Sequence, residues 1–172
     1  MTNIKNFKWP LYTIAQAKYK IMELMATRDH SLIELKKKIK HRCDKDTLDK
    51  VLQWAEQQTW FPSDEKIQEQ VIRALGKKRK GIKAINLKMK ELGLKSVQIS
   101  VESEIEKALD LLNIKYKKIK WLELNSEDFF KNKSKALRFL LSRGFENSTA
   151  TESFKRYYKN IKTYSSNYRD KD

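Results

Sequence analysis

The chain has 172 residues, of which 38 are Lys or Arg and 22 are Asp or Glu, so its formal net charge is +16. It contains no run of 18 apolar residues, which excludes a membrane-spanning helix, and its single cysteine excludes an internal disulfide framework or a cysteine zinc site. So large a positive charge favours a polyanionic partner, such as nucleic acid, an acidic membrane or an acidic protein, over an enzymatic role.

Helical periodicity begins after residues 1–10, which have no apolar signal core and are expected to form an N-terminal arm. Since Cys43 is the single cysteine, we expect the compartment to be the reducing cytosol. The first helix is predicted from an apolar stripe of Ile14, Ala17, Ile21 and Leu24. A capping box of Ser31 and Glu34 starts the second helix, and Asp46 is the predicted N-cap of the third.

The middle of the chain is also predicted to be helical. Pro62-Ser63-Asp64 interrupts the pattern and restarts it in a helix with Ile67, Val71 and Leu75. The next stripe runs from Ile82 to Leu92, and Gly93 is predicted to end that helix in a left-handed cap. The following stripe, from Val101 to Leu112, predicts one long helix or two short ones.

The last third starts with the least periodic segment, 116–132, which we interpret as a loop with short turns. A helix is predicted from Ala136 to Arg143, and Gly144 stops it. A second capping box, of Thr149 and Glu152, leads into a helix with several aromatic residues. The polar tail, 163–172, is expected to be disordered.

A four-residue apolar step recurs in these helices, with anchors at Leu35, Met89 and Leu140 that lie about fifty residues apart, within the range of helical repeats. The sequence therefore predicts an all-α protein of three tandem three-helix repeats in an elongated, curved array. The predicted repeats are 11–62, 63–115 and 116–162, the last with its leading loop.

Several segments resemble the RecX family, the bacterial regulators of the RecA recombinase. The most specific is Leu137-Arg-Phe-Leu-Leu-Ser-Arg-Gly-Phe145, which is similar to the family's helix ending in Arg-Gly-aromatic. Further likenesses are Ser31 to Leu35, Gly81 to Leu94, and Val51-Leu-Gln-Trp54 followed by Trp60 and Asp64. The resemblance covers residues 12–160, with departures at Lys88, where the family carries Glu, and at Gly81-Ile-Lys, where Gly-Pro is typical.

This resemblance implies a monomeric regulator that binds the RecA filament on single-stranded DNA, with double-stranded DNA as a further ligand. It would lodge in the filament groove and depress ATP hydrolysis, strand exchange and co-protease activity, with a role in DNA repair and the SOS response. It implies no cofactor, no metal and no catalytic residue.

Clusters of basic residues are the strongest candidates for the contact, because Lys and Arg neutralise phosphates and release counterions. The alternative for any one cluster is a solvated helix face. The candidate contact residues are Lys77, Lys78, Arg79, Lys80, Lys83, Lys88, Lys90, Lys36, Lys37, Lys40, Arg138 and Arg143. Among the aromatic residues, Trp121 is equally consistent with a stacking contact and with the core.

Catalytic and metal-binding patterns are weak. His41, Cys43 and Asp44 lie within four residues, but no second cluster completes a tetrahedral metal site. Gly76 to Gly81 has the glycines of a phosphate loop without its Gly-Lys-Ser/Thr ending. The competing hypothesis is a nucleic-acid-binding module without a recombinase partner. A nuclease is a minor third, because the carboxylate cluster that it needs is not found.

Overall fold

The fold is known from a computed structural model, which describes residues 10–169, with side chains up to residue 163. These residues form eight α-helices and a short 3-10 turn at Lys40–Arg42, and they contain no strand. The helices are α1 (Ile14–Thr27), α2 (Leu32–Ile39), α3 (Lys45–Glu56), α4 (Asp64–Lys77), α5 (Ile82–Leu92), α6 (Val101–Tyr116), α7 (Ser126–Ser142) and α8 (Asn147–Arg169). The all-α prediction is confirmed. Residues 1–9 of the predicted N-terminal arm lie outside the described residues.

Two compact units make up the described chain. The first comprises the residues up to Gln70 together with Glu91–Leu94, and the second comprises Val71–Lys90 and the residues from Lys95 onward. The division into three repeats stays a prediction. None of the helices in the described part of the chain combines the length and apolarity that crossing a bilayer requires.

The core of the first unit lies between α1, α2 and α3. Ala17 and Ile21 of α1, Leu35 and Ile39 of α2, and Val51 and Ala55 of α3 are all 0–1% exposed. The two residues on each helix lie four positions apart, so each helix presents one apolar face to the other two. In the second unit the corresponding core lies between α6, α7 and α8 and includes Leu112, Leu140 and Phe154.

The N-caps in the first unit differ partly from the predicted ones. Ser31 caps α2 as expected, accepting from the Glu34 N–H at 3.2 Å, but the Glu34 carboxylate binds Arg28 and does not return to the cap. The prediction of Asp46 as the cap of α3 is wrong. Asp44 occupies that position and accepts from the Thr47 N–H at 2.8 Å, because Thr47 and Leu48 are drawn into the helix by their burial.

The segment predicted as a loop, 116–132, is partly helical: residues 117–125 form a loop with turns, as expected, whereas residues 126–132 belong to a helix. α6 is one helix that continues to Tyr116, and α7 begins at Ser126, ten residues before the predicted start at Ala136. The physical reason is a cap at Asn125, whose side-chain oxygen accepts from the Asp128 N–H at 2.8 Å, with Glu127 and Asp128 in the positively charged first turn.

The last helix is longer than predicted at both ends. α8 begins at Asn147, so the Thr149 that was predicted as its cap lies inside the helix and is buried. The Glu152 side chain binds Arg156 one turn later and takes no part in a capping box. The helix continues to Arg169, into the predicted tail, because residues 163–169 contain no Gly or Pro that would interrupt its backbone hydrogen bonds.

Two glycine turns end the central helices. Gly93 after α5 has φ +74° and Gly144 after α7 has φ +90°, a conformation that strains any residue with a Cβ, so the predicted glycine caps are confirmed. Both turns are tightly packed, Gly93 against the Ile33 side chain and Gly144 against the backbone and Cβ of Ala84. The turn at Gly144 thereby joins the end of α7 to the beginning of α5 within the second unit.

Candidate polyanion-binding surface

The connection from α4 to α5 carries the densest charge in the candidate set. We call Lys77, Lys78, Arg79, Lys80 and Lys83 the basic loop; all are exposed except the half-buried Lys80. α4 ends here in a Schellman motif, in which the Arg79 N–H bonds to the Gly76 carbonyl at 2.8 Å and the Lys80 N–H bonds to the Leu75 carbonyl at 3.0 Å. The basic loop is therefore an ordered turn.

Arg79 occupies the position of this motif that glycine usually takes. Its φ is +50°, and it is the only residue other than glycine with a positive φ in the described part of the chain. A left-handed conformation costs a residue with a side chain about 1 kcal/mol or more. Strained backbone conformations are found preferentially at functional sites. Here the strained residue, Arg79, has its guanidinium exposed among four lysines.

Arg143 holds the basic loop from the end of α7. Its guanidinium Nη1 donates to the Lys78 carbonyl at 3.1 Å, and its own carbonyl accepts from the Gly81 N–H at 3.0 Å. The guanidinium also lies over the Phe139 ring, 5.4 Å from the centroid. Arg143, a candidate contact in the sequence, therefore has its charged group engaged in positioning the turn.

A buried carboxylate supports the start of α5. Glu104 of α6 is 2% exposed, accepts from the Ile82 N–H at 2.8 Å and forms an ion pair with Lys107 at 2.6 Å. A carboxylate at a helix N-terminus interacts favourably with the helix dipole. Because this acid is occupied by Ile82 and Lys107, it does not neutralise the basic loop, and none of the five loop cations forms an ion pair with a described residue.

The candidates on α2 belong to the first unit. Lys36, Lys37 and Lys40 are all exposed. Lys37 has a structural partner, since its Nζ donates to the Glu91 carbonyl at the end of α5 at 2.8 Å. Lys36 and Lys40 have no such contact in the described residues.

The remaining candidates lie on α5 and α7 in the second unit. Lys88 is half-buried and Lys90 is exposed, both in the second half of α5. Arg138 is exposed on α7, where its Nε donates to the Ser134 carbonyl in the preceding turn at 3.3 Å. The hydrogen bonds of Arg143 tie the end of α7 to the basic loop.

A shallow, open groove on α6 and α7 contains Arg138, one of the candidate residues. We call it the α6–α7 groove; it is lined by Lys115, Tyr116, Lys135, Arg138, Phe139 and Ser142. Lys115 and Lys135 of this set are not among the candidate residues from the sequence. The available signal was the helical spacing of Lys131, Lys135 and Arg138, which places all three on one face of α7.

Trp121 is not part of the surface. It is 2% exposed and packs edge-on against Phe154, with ring centroids 5.3 Å apart. Its Nε1–H donates to the Tyr157 hydroxyl at 3.2 Å, and that hydroxyl donates to the Tyr116 carbonyl at 3.2 Å. Burial raises the pKa of both Tyr116 and Tyr157, so the two hydroxyls stay protonated. The interpretation of Trp121 as a stacking contact is wrong, and it belongs to the core.

The short segment with His41, Cys43 and Asp44 has a structural explanation. Cys43 is buried against the core of the first unit, and burial raises the pKa of its thiol, which disfavours the thiolate that metal binding or nucleophilic attack requires. Asp44 is the N-cap of α3. Within residues 10–169, no three His, Cys, Asp or Glu side chains are grouped so that they could hold a metal ion.

Comparison with known proteins gives a likeness of fold. No protein-family model matches the sequence, and no curated protein matches it. The structure is similar to the crystal structure of RecX from Lactobacillus salivarius, with a TM-score of 0.65 over 84% of this chain and 96% of that chain. The two sequences are 15% identical over this match. The chain therefore has a RecX-like helical fold.

Proposed function

We propose that this chain is a RecX-like regulator that binds the RecA recombinase filament on single-stranded DNA. It acts as a monomer in the cytosol, occupies the filament groove, and lowers ATP hydrolysis, strand exchange and co-protease activity without catalysing a reaction. The RecX-like fold supports this proposal, and so does the resemblance of segments such as Leu137–Phe145 to the family's sequences.

The observation that carries the proposal is the basic loop. Its cations are concentrated in one ordered turn, they form no ion pair with described residues, and Arg79 keeps a strained backbone conformation within it. A folded protein that leaves so many like charges together loses stability through their repulsion. That arrangement is useful where an anionic partner supplies the missing countercharge, and a nucleoprotein filament offers both phosphates and carboxylates.

The test is a triple charge reversal, Lys78→Glu, Arg79→Glu and Lys83→Glu, assayed by co-sedimentation with recombinase filaments and by inhibition of the filament ATPase. We expect the helical circular dichroism spectrum to remain and the binding and inhibition to be lost, because attraction becomes repulsion at the contact. A matched control is Lys117→Glu, Lys155→Glu and Lys159→Glu, which changes the same charge at exposed positions of the second unit outside the basic loop.

Two outcomes would contradict the proposal. If the loop variant and the control lose inhibition equally, the net charge matters and the basic loop does not. If the parent protein inhibits only while it can sequester DNA, so that saturating free DNA abolishes the effect and no binding to filaments is detected, the competing hypothesis of a nucleic-acid-binding module without a recombinase partner is favoured.

A further inference from the structure

Helix α1 carries two apolar stripes, of which the first unit covers only one. Ala17 and Ile21 face α2 and α3 and are fully buried. The second stripe lies on another side of the helix, and all its members are exposed. We call it the outer stripe; it consists of Ala15, Tyr19, Met22 and Ala26. A helix with apolar residues on two sides is typically packed against more than one neighbour, and residues 10–169 supply α1 with neighbours on one side.

The spacing of the outer stripe determines the shape that can cover it. Its members follow one another at intervals of four, three and four residues, which is the spacing of the contact positions in helices packed as a coiled coil. Tyr19 and Met22, which are 68% and 46% exposed, form a ridge in the middle. The small residues Ala15 and Ala26 lie at the two ends, and each lines a hollow. Ridges of one helix fit into such hollows of another, so the outer stripe suits a helix lying along α1.

Trp60, from the connection between α3 and α4, extends the outer stripe at the end of α1. Its side chain is 41% exposed and packs edge-on against Trp54, with ring centroids 5.9 Å apart, so the indole is held in place before a partner arrives. The hollow beside it has a volume of about 290 Å³ and is lined by Met22, Met25, Ala26, Asp29 and Trp60. Pockets that enclose small ligands typically measure about 300–1,000 Å³. This hollow is open and at the lower end of that range, so it suits one protruding apolar side chain, to whose shape the two thioethers can adapt.

Charged residues beside the outer stripe are engaged within the first unit. Lys20 forms an ion pair with Glu23 at 3.1 Å, and the Lys18 Nζ lies 4.7 Å from the centroid of the Trp54 ring. Asp29, at the rim of the hollow, forms an ion pair with a lysine of α4 at 2.9 Å. A phosphate group that approached the stripe would have to break these contacts. The outer stripe therefore differs in kind from the basic loop, and it suits an apolar contact.

We propose that the outer stripe and Trp60 form a docking surface for an amphipathic helix of an acidic protein partner. Net charge determines the choice of partner, because a chain of charge +16 attracts an acidic protein and repels a second copy of itself. The size of the surface agrees with that choice. A helix of 14 residues is about 21 Å long and about 10 Å wide, so it offers a few hundred Å². A stable dimer typically buries about 800 Å² on each partner.

The first experiment measures the binding of fluorescent helical peptides to the full chain by anisotropy, with no recombinase present, so its result does not depend on the proposed function. The acidic probe has Leu at the a and d positions of each heptad and Glu and Ala elsewhere. A scrambled probe has the same composition without an apolar face. We expect the scrambled probe to bind about tenfold more weakly or less, since both probes carry the same charge and only one presents an apolar stripe. Equal binding of the two would overturn the proposal.

A pair of variants locates the binding of the acidic probe. Tyr19→Gln with Met22→Gln, the stripe variant, makes the ridge polar while keeping residues that favour a helix. The matched control is Leu87→Gln with Ile114→Gln, which changes two residues of the second unit that are 60% and 61% exposed. We expect the stripe variant to lose about tenfold or more in affinity and the control to bind like the parent. Circular dichroism confirms that both are folded, and equal affinities in the two folded variants would contradict the proposed site.

The methionines report on the site directly. Met22 and Met25 line the hollow, whereas Met89 is fully buried in the second unit. In methyl NMR spectra of protein with isotopically labelled methionine, the acidic probe should shift the signals of Met22 and Met25 and leave that of Met89 in place. Substitution of each methionine by leucine assigns the signals. Binding of the probe without a shift of Met22 or Met25 would place the contact elsewhere and refute the proposal.

Two further arms test the alternative occupants of the surface. Analytical ultracentrifugation should show a monomeric parent, and a dimer that the stripe variant abolishes would identify the occupant as a second copy. Vesicles of phosphatidylcholine and phosphatidylglycerol should bind the parent and the stripe variant equally, because charge alone attracts them. Weaker vesicle binding by the stripe variant would show that the stripe inserts into a membrane. Either of these outcomes would overturn the assignment of an acidic protein partner.

Discussion

The guanidinium of Arg143 donates a hydrogen bond to the backbone carbonyl of Lys78, a residue that lies 65 positions earlier in the chain. The Arg143 carbonyl accepts from Gly81 in return, so one residue at the end of α7 holds both sides of the turn in which Arg79 has its positive φ. The conformation of the basic loop therefore depends on α7, and Arg143 is a positioning residue for it.

Arg143→Leu tests this dependence. The substitution removes the hydrogen bond to the Lys78 carbonyl and leaves that carbonyl without its protein donor. A hydrogen bond from a charged group generally contributes about 1.5–3 kcal/mol to folding stability. Because Arg143 is half exposed, water can replace part of the interaction. We therefore expect the free energy of unfolding, measured in urea, to fall by about 1 kcal/mol. Amide exchange at the Schellman motif, in residues 79 and 80, should become faster. Arg138→Leu on the same helix is the control, since the Arg138 side chain bonds only within α7, and an equal effect there would contradict the positioning role.

The glycines give a graded prediction for stability. Gly144→Ala would place a Cβ 2.6 Å from the Ala84 backbone nitrogen at a φ of +90°, so we expect a severe loss of stability. Gly93→Ala should cost less, because its Cβ meets the movable end of the Ile33 side chain, although φ is also positive there. Gly76→Ala has no atom within 4 Å and lies in the last turn of α4, so it should stabilise the protein by up to about 1 kcal/mol. Thermal unfolding of the three variants checks the order, and a Gly144→Ala protein as stable as the parent would show that the turn is wrongly described.

His30 makes the stability of the first unit depend on pH. It is 2% exposed, and its Nδ1 lies 3.4 Å from Glu34 without a hydrogen bond to any described residue. Burial lowers the pKa of His30 below its usual 6.5, and the charges of Arg28 and Lys38 lower that pKa further, whereas Glu34 opposes them. The carboxyl of Asp29 lies in the same turn, and its own pKa is lowered by hydrogen bonds from Lys66 and Gln70.

The sign of the effect follows from proton binding. As the pH falls below 6.5, the unfolded chain protonates its histidine before the folded protein does, so the folded state loses stability toward acid; above 6.5 this loss is absent. We expect the parent's free energy of unfolding, measured in urea, to fall as the pH decreases from 6.5 toward the lower pKa that His30 has in the folded protein. The free energy of unfolding of His30→Gln should depend less on pH over that range. His41→Gln, at an exposed position, should retain the profile of the parent. Identical profiles for His30→Gln and the parent would remove His30 as the cause.

The core of the second unit contains a short chain of hydrogen bonds, and we expect substitutions of its members to have non-additive effects on stability. The Trp121 indole N–H, the Tyr157 hydroxyl and the Tyr116 carbonyl are joined by two hydrogen bonds of 3.2 Å each. Tyr157→Phe leaves the buried indole N–H unpaired and should cost about 1–3 kcal/mol. In the double variant with Trp121→Phe the unpaired donor is gone, so the two losses should not add. Additive losses in a double-mutant cycle would mean that the bond contributes nothing to stability.

Helix positions were largely predictable because the apolar residues that define them are near in sequence. The stripe from Ile14 to Leu24 became α1, and the glycines after α5 and α7 act as the predicted caps. Which of several capping residues starts a helix was less predictable. Asp44 and Asp46 are equally suitable by type, and only the burial of Thr47 and Leu48 in the folded unit selects the first.

The candidate surface was predictable to the extent that its residues are contiguous. The basic loop could be found because its cations follow one another in the chain. The α6–α7 groove could not, since Lys115 and Lys135 come from different helices and meet only through packing around Phe139. Trp121 misled the interpretation for a related reason. It lies in a segment without helical periodicity, and two of its contacts, Phe154 and Tyr157, are more than thirty residues away in the sequence.

The apolar face of α5 provides the last prediction. Met89 is fully buried, whereas Leu87, two residues earlier on the same helix, is 60% exposed. Met89→Asp would place an unpaired carboxylate in the core, and we expect a loss of at least about 2 kcal/mol in the free energy of unfolding, with a marked fall of the melting temperature. Leu87→Asp introduces the same charge into the same helix where water can solvate it, so its effect should stay within about 0.5 kcal/mol. Thermal and urea unfolding of both variants measure the difference. A Met89→Asp protein as stable as Leu87→Asp would mean that this face of α5 is not packed against a core, and the recurring buried step at Met89 would have to be abandoned.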